Sequence, residues 1–184
     1  GPVIQEPVAC AGSWWQQKPL PQRPEHSPMP VVFTNNVIFS TVLVRDWGLR
    51  FDPRFALTGG SDRAFFTQAR ELGADYRWSN QAVVREEVPT ERQRLTWQLR
   101  RSFRSAAAVV IFERRQYGNL AALRFLIKGP LRILGGMLRL PLLPIARLVG
   151  IQAWKRSTFK SFSAIASGLG MLAGLVNFNI KMYR

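Results

Sequence analysis

After Glu113 the chain runs 71 residues to Arg184 without another carboxylate, and ten basic residues follow Gln116 in that stretch. Residues 1–92 carry ten acidic and ten basic side chains, whereas residues 93–184 carry sixteen basic residues and one acidic one. The whole formal charge of +15 therefore belongs to the second half. That half is also rich in Leu, Ile, Phe and Gly, so it must fold around apolar faces while presenting cations to something anionic. A neutral half joined to it suggests an α/β piece with a separate task. The 184 residues suffice for one domain with a real core, and an apolar content of 47% excludes a wholly disordered chain. A single cysteine, Cys10, excludes an internal disulfide framework and fits a reducing compartment. A single histidine, His26, argues against His-paired nucleophiles and multi-His metal sites.

Seven prolines within residues 1–30 predict an extended, looping segment with Trp14 and Trp15 tucked onto the fold. Val31–Val44 is β-branched and aromatic and reads as one or two strands. Asp46–Leu57 reads as a loop or short helix punctuated by Pro53. Thr58-Gly59-Gly60 follows, and Ser61 or Asp62 is placed to cap a helix over Asp62–Leu72 that Gly73 closes. Asp75–Val84 alternates as a strand would. Thr90 and Gln93 have the spacing of a capping box for a helix reaching the region of Gln116. Beyond Leu120, Arg124, Lys128, Arg132, Arg139 and Arg147 gather on one side of a helix at about 100° per residue. Gly129-Pro130, Gly135-Gly136, Pro141 and Pro144 predict a break into short helices. Ser161–Ile180 is uncharged over the minimum bilayer-spanning length, but its serines, asparagines and glycines weaken that reading.

Among groups that carry chemistry, Gly59-Gly60-Ser61-Asp62 stands first. A carboxylate at a helix N-terminus is held by backbone donors and can accept a proton from an attacking hydroxyl, as a general base does; the plainer alternative is a helix cap. Glu86 and Glu87 could approach a metal or an acceptor, or they are solvated charges ahead of a helix. Asn35 and Asn36 either line a pocket floor or form a turn. Trp78 is a core residue or an acceptor platform. Arg100, Arg101 and Arg104 face a phosphate or simply solvent.

Asn35-Asn36-Val37-Ile38, Phe51-Asp52-Pro53-Arg54-Phe55, Thr58-Gly59-Gly60-Ser61-Asp62, Phe65-Phe66, Trp78, Ala82-Val83-Val84, Glu86 and Val88-Pro89 with Arg92 resemble the second half of family 2 glycosyltransferases, in particular bacterial members that build cell-surface polysaccharide. The likeness is strong from Asn35 to Arg104. It implies a partial GT-A (Rossmann-like) α/β domain over residues 1–116, followed by basic amphipathic, membrane-interface helices over residues 117–184. It also implies inverting transfer from a nucleotide-diphosphate-sugar donor to a polysaccharide or lipid-linked acceptor, with Asp62 as catalytic base and Glu86 on a recurrent acidic position. Ser61 stands where the family usually has Glu. The family's donor-binding half and Asp-x-Asp site, which hold Mg or Mn, have no counterpart here. The chain is therefore expected to be the C-terminal part of a transferase or one part of a split protein, with the metal ligands outside it.

The basic half is expected to dock on an anionic membrane surface, placing the protein at the cytoplasmic face of the cell membrane as a peripheral or single-span protein. A non-catalytic membrane adaptor is the alternative. A basic nucleic-acid-binding module is a further one, but the interleaved apolar faces argue against nucleic acid as a partner.

Overall fold

The computed structural model describes residues 2–7, 13–14, 22–53 and 60–178. The chain divides into two compact units, Gly1–Val8 with Gln17–Val88 and Ala9–Gln16 with Pro89–Arg184.

In the first unit, β1 (Val3–Pro7) and β2 (Val84–Val88) form a two-stranded parallel sheet in the register Val3↔Val84 to Pro7↔Val88. Asn36 fastens its start: the side-chain amide donates to the Pro2 carbonyl at 3.0 Å and the Ala82 carbonyl at 2.5 Å, just ahead of both strands. A short helix α1 (Val42–Arg45) and a longer α2 (Ser61–Glu71) supply the core. Leu43, Leu49, Phe65, Phe66 and Ala69 are buried there, with Val32, Val37, Phe39 and Tyr76 packed against them. Phe51 stacks on Phe65 at 4.4 Å between centroids, and Tyr76 meets Phe66 edge-on at 5.8 Å. The Tyr76 hydroxyl donates to the Phe66 carbonyl at 2.7 Å, and burial pushes this phenol above its ordinary pKa against the opposing charge of Arg70.

The fold corrects several expectations. The described residues are 64% helix and 7% strand, with one two-stranded sheet, so this is not a Rossmann-like GT-A domain. A doubly wound sheet needs several strands apolar on both faces; β2 reads Val-Arg-Glu-Glu-Val and exposes Val84, Arg85 and Glu87. Val31–Val44 forms no strand. Its apolar side chains Val32, Val37 and Phe39 plug the core, while the backbone makes a 3-10 turn at Thr34–Asn36. Asp75–Val84 contributes one antiparallel bridge, Pro28↔Arg77, and the strand begins only at its last residue. The proline-rich opening nonetheless contains β1, because its pairing with β2 decides the matter.

The second unit is helical. α3 (Leu95–Met137) is broken at Gly118, whose φ of 84° and ψ of 175° only glycine adopts readily. It therefore has two arms, 95–117 and 119–137. A 3-10 segment, Leu140–Leu142, leads into α4 (Leu143–Val149), and α5 (Ile151–Leu175) completes the unit. The capping box does not form: Thr90–Gln93 is a 3-10 turn and α3 starts after Arg94 without a side-chain cap. Gly129-Pro130 and Gly135-Gly136 do not break the helix either. Gly129 and Gly136 instead admit α5: a Cβ at Gly136 would lie 2.7 Å from the Ser161 carbonyl. On α5, Gly168 lies against Gly129 and Ile133 of the second arm, and Gly170 and Gly174 lie against Phe103, Ala107 and Val110 of the first. Small residues thus bring three helical segments to backbone contact, the packing that GxxxG spacings permit. Trp14 is tucked as expected, its ring 5.5 Å from that of Trp154; Trp15 lies outside the described residues. α5 ends at Leu175, inside the uncharged 161–180 stretch. Among the described residues no helix is long and apolar enough to cross a membrane, which removes the single-span reading of 161–175.

Candidate functional site

Asp62 sits in the first turn of α2, which begins at Ser61 directly after Gly60. Gly60 is the N-cap, with φ of 98°, a left-handed conformation that a side chain would strain. Neither Ser61 nor Asp62 occupies the N-cap position, although Asp62 still satisfies one N–H of the first turn. One Asp62 oxygen accepts the Arg63 backbone N–H at 2.8 Å, and the side chain is half-buried. The carboxylate lies where the helix dipole favours negative charge. It is held on one side and reachable from solvent. Gly59 lies outside the described residues.

Most of the remaining candidates have structural partners. Asn35 is exposed and Asn36 is the clamp between Pro2 and Ala82. Glu86, half-buried on β2, accepts the Gln5 amide at 3.0 Å. Trp78 is only 5% exposed and donates its ring N–H to Asn80 at 2.7 Å, so it belongs to the core. Among the described residues no hydrogen bond or ion pair joins Asp62 to Asn35, Asn36, Trp78 or Glu86. Arg101 belongs to the second unit, exposed on α3 with its guanidinium 5.4 Å from the Trp97 ring. Among the described residues no three His, Cys, Asp or Glu side chains gather to hold a metal ion.

The second unit holds a surface that sequence reasoning saw only in part. Measured from Arg124 at about 100° per residue, Lys128 and Arg132 of the second α3 arm, and Arg139 in the turn just beyond it, fall within roughly 0–80°. The buried residues Ala122, Phe125, Gly129 and Gly136 fall near 100–160°. A third face, at roughly 200–340°, carries Leu120, Leu123, Leu126, Ile127, Leu131, Leu134, Met137 and Leu138, all exposed. Leu120 is 83% and Ile127 68% exposed, and α4 extends the surface with Leu148 at 87% and Val149 at 77%. This arm buries Ala122, Phe125, Gly129 and Gly136 and leaves its leucines outside. A contiguous apolar ridge rimmed by cations marks an interaction surface. Arg124 is not part of the free rim, because it pairs with Glu113 across the Gly118 bend. Glu113, the last carboxylate, is 5% exposed and therefore structural. The signal available in sequence was the glycine spacing on the buried face, which assigns the large apolar residues elsewhere.

The chain matches no family model, no curated protein and no solved structure.

Proposed function

We propose that this chain carries the acceptor-side catalytic segment of an inverting glycosyltransferase that works at an anionic membrane surface. Asp62 is its general base. The observation that carries the reading is the setting of Asp62: a half-buried carboxylate in the first turn of α2, behind a left-handed Gly60, anchored by one backbone N–H and, among the described residues, in no ion pair. Support also comes from the run of residues from Asn35 to Arg104 that resembles family 2 transferases. In the proposed step the acceptor hydroxyl oxygen attacks the anomeric carbon of the donor sugar. Its proton passes to Asp62, and the anomeric carbon–oxygen bond breaks with its electron pair leaving on the nucleoside diphosphate. Attack opposite the departing group inverts the centre. Donor binding and charge neutralisation of the diphosphate fall to groups outside the described residues.

The membrane part of the proposal is supported by the exposed apolar ridge on α3 and α4 and its cationic rim. The same observation favours a second reading, a membrane adaptor that needs no catalytic residue. An Asp62→Asn allele at the chromosomal gene separates the two. Loss of surface polysaccharide with normal protein abundance and membrane association supports the transferase. Normal polysaccharide overturns it and leaves the adaptor.

A further inference from the structure

Two cavities lie side by side along the contact of the second α3 arm with α5. The larger, about 450 Å³, is lined by Leu131, Arg132, Gly135, Arg139, Lys160 and Ser163, among others. The smaller, about 380 Å³, is lined by Lys128, Leu131, Arg132 and Met171. They share Leu131 and Arg132, so together they form one groove. Its walls are of two kinds. Arg132, Arg139 and Lys160, with the Ser163 hydroxyl, line one stretch beside Leu131 and Phe159, while Leu131 and Met171 with the stems of Lys128 and Arg132 line the other. Among the described residues none of the three cations has a carboxylate partner or a hydrogen bond, and the sequence offers no side-chain carboxylate after Glu113. Three uncompensated cations in one concavity call for concentrated negative charge. An apolar continuation beside the exposed leucine ridge calls for a hydrocarbon chain attached to it.

We infer that this groove binds a membrane lipid whose headgroup is a terminal phosphate, with the phosphate against Arg132, Arg139 and Lys160 and the chain along Leu131 and Met171. The inference rests on the membrane-surface part of the proposed function and is independent of Asp62. A phosphomonoester fits better than a phosphodiester because it offers up to two charges at one point and three oxygens to Arg and Lys donors. Ser163 already shares a hydrogen bond with Ser102 at 2.8 Å, and a hydroxyl can both donate and accept.

The test is flotation of the full chain with phosphatidylcholine vesicles containing either phosphatidic acid or phosphatidylglycerol, matched in surface charge. The wild type is expected to bind phosphatidic acid vesicles at least tenfold more tightly. Replacing Arg132, Arg139 and Lys160 together by glutamine should cost roughly a hundredfold on phosphatidic acid, at one Lys or Arg contribution each, and remove the preference. A charge-matched control, with glutamine at the exposed Arg45, Arg94 and Arg156, should keep the preference while weakening both lipids alike. Gly135→Leu fills the groove without altering charge, since nothing lies within 4 Å of its added Cβ, and should also abolish the preference. Binding to both anionic vesicles without preference, or equal losses in the two triple variants, overturns the groove and leaves the membrane surface standing. No binding to either overturns both. Saturable binding of inorganic phosphate that the Arg132/Arg139/Lys160 variant loses, with no preference for phosphatidic acid over phosphatidylglycerol, would assign the groove to free phosphate and refute the lipid.

Discussion

Gly170→Ala should loosen the second unit far more than a methyl group suggests. An ideal Cβ at Gly170 falls on the Phe103 carbonyl oxygen and lies 2.9 Å from its carbon and 3.0 Å from the Phe103 Cα. These are backbone atoms of another helix, so no change of rotamer relieves the clash and α5 must move off α3. Overpacking costs about 1–3 kcal/mol, and a backbone obstruction belongs at the upper end. Alanine's better helix propensity offsets about 0.8–1 kcal/mol, leaving about 2 kcal/mol of net destabilisation. Gly135→Ala is the matched control, a helical glycine of α3 whose added Cβ meets nothing within 4 Å. It should stabilise by up to about 1 kcal/mol. With a urea slope of about 1–3 kcal/mol per molar, the two midpoints should separate by roughly 1 M or more in unfolding followed by circular dichroism. If Gly170→Ala unfolds at or above the wild-type midpoint, α3 and α5 are not in backbone contact and the close-packing argument fails.

Arg124→Met should destabilise by about 2–3 kcal/mol, because Glu113 is left buried without its cation. Glu113→Gln should cost less, since Arg124 is half exposed and water can take it up; equal urea midpoints for Arg124→Met and wild type would show the pair to be inert. Leu120→Gln and Leu148→Gln should leave stability within about 0.5 kcal/mol yet each weaken binding to anionic vesicles about tenfold, the equivalent of a leucine transferred out of water. Unchanged sedimentation with vesicles would remove the ridge from the membrane surface. Glu25 accepts the Asn80 backbone N–H at 2.6 Å, which with Ser79 and Asn80 holds its carboxyl below the ordinary value. A depressed folded-state pKa stabilises at neutral pH and is lost as pH falls through and below the usual carboxylate range. The Asn80 amide resonance should report that transition and Glu25→Gln should abolish it; a midpoint at the ordinary value would contradict the contact.

What was legible beforehand was local. α2 was readable because its apolar residues recur within one helix and Gly73 closes it in a left-handed conformation. The position of Asp62 in its first turn followed from the same residues. The strands were not readable, since a strand exists only through a partner: Val3–Pro7 pairs with a segment some eighty residues away, whereas the better strand former Val31–Val44 has no partner and spends its side chains on Phe65 and Phe66. Asn36 gave no hint of its clamp for the same reason, because Pro2 and Ala82 meet only in three dimensions.

The sequence alone determined the separation of charge, the cationic stripe of the second α3 arm and the glycine punctuation, because these depend on covalent order and helical period. The glycine spacing hinted at which face is buried, but only the packing of α5 against α3 decided it. Helices pack closest where side chains are smallest, so Gly129, Gly136, Gly168 and Gly170 took the interior. The leucines, too large for a backbone contact, were left on the outside beside the arginines.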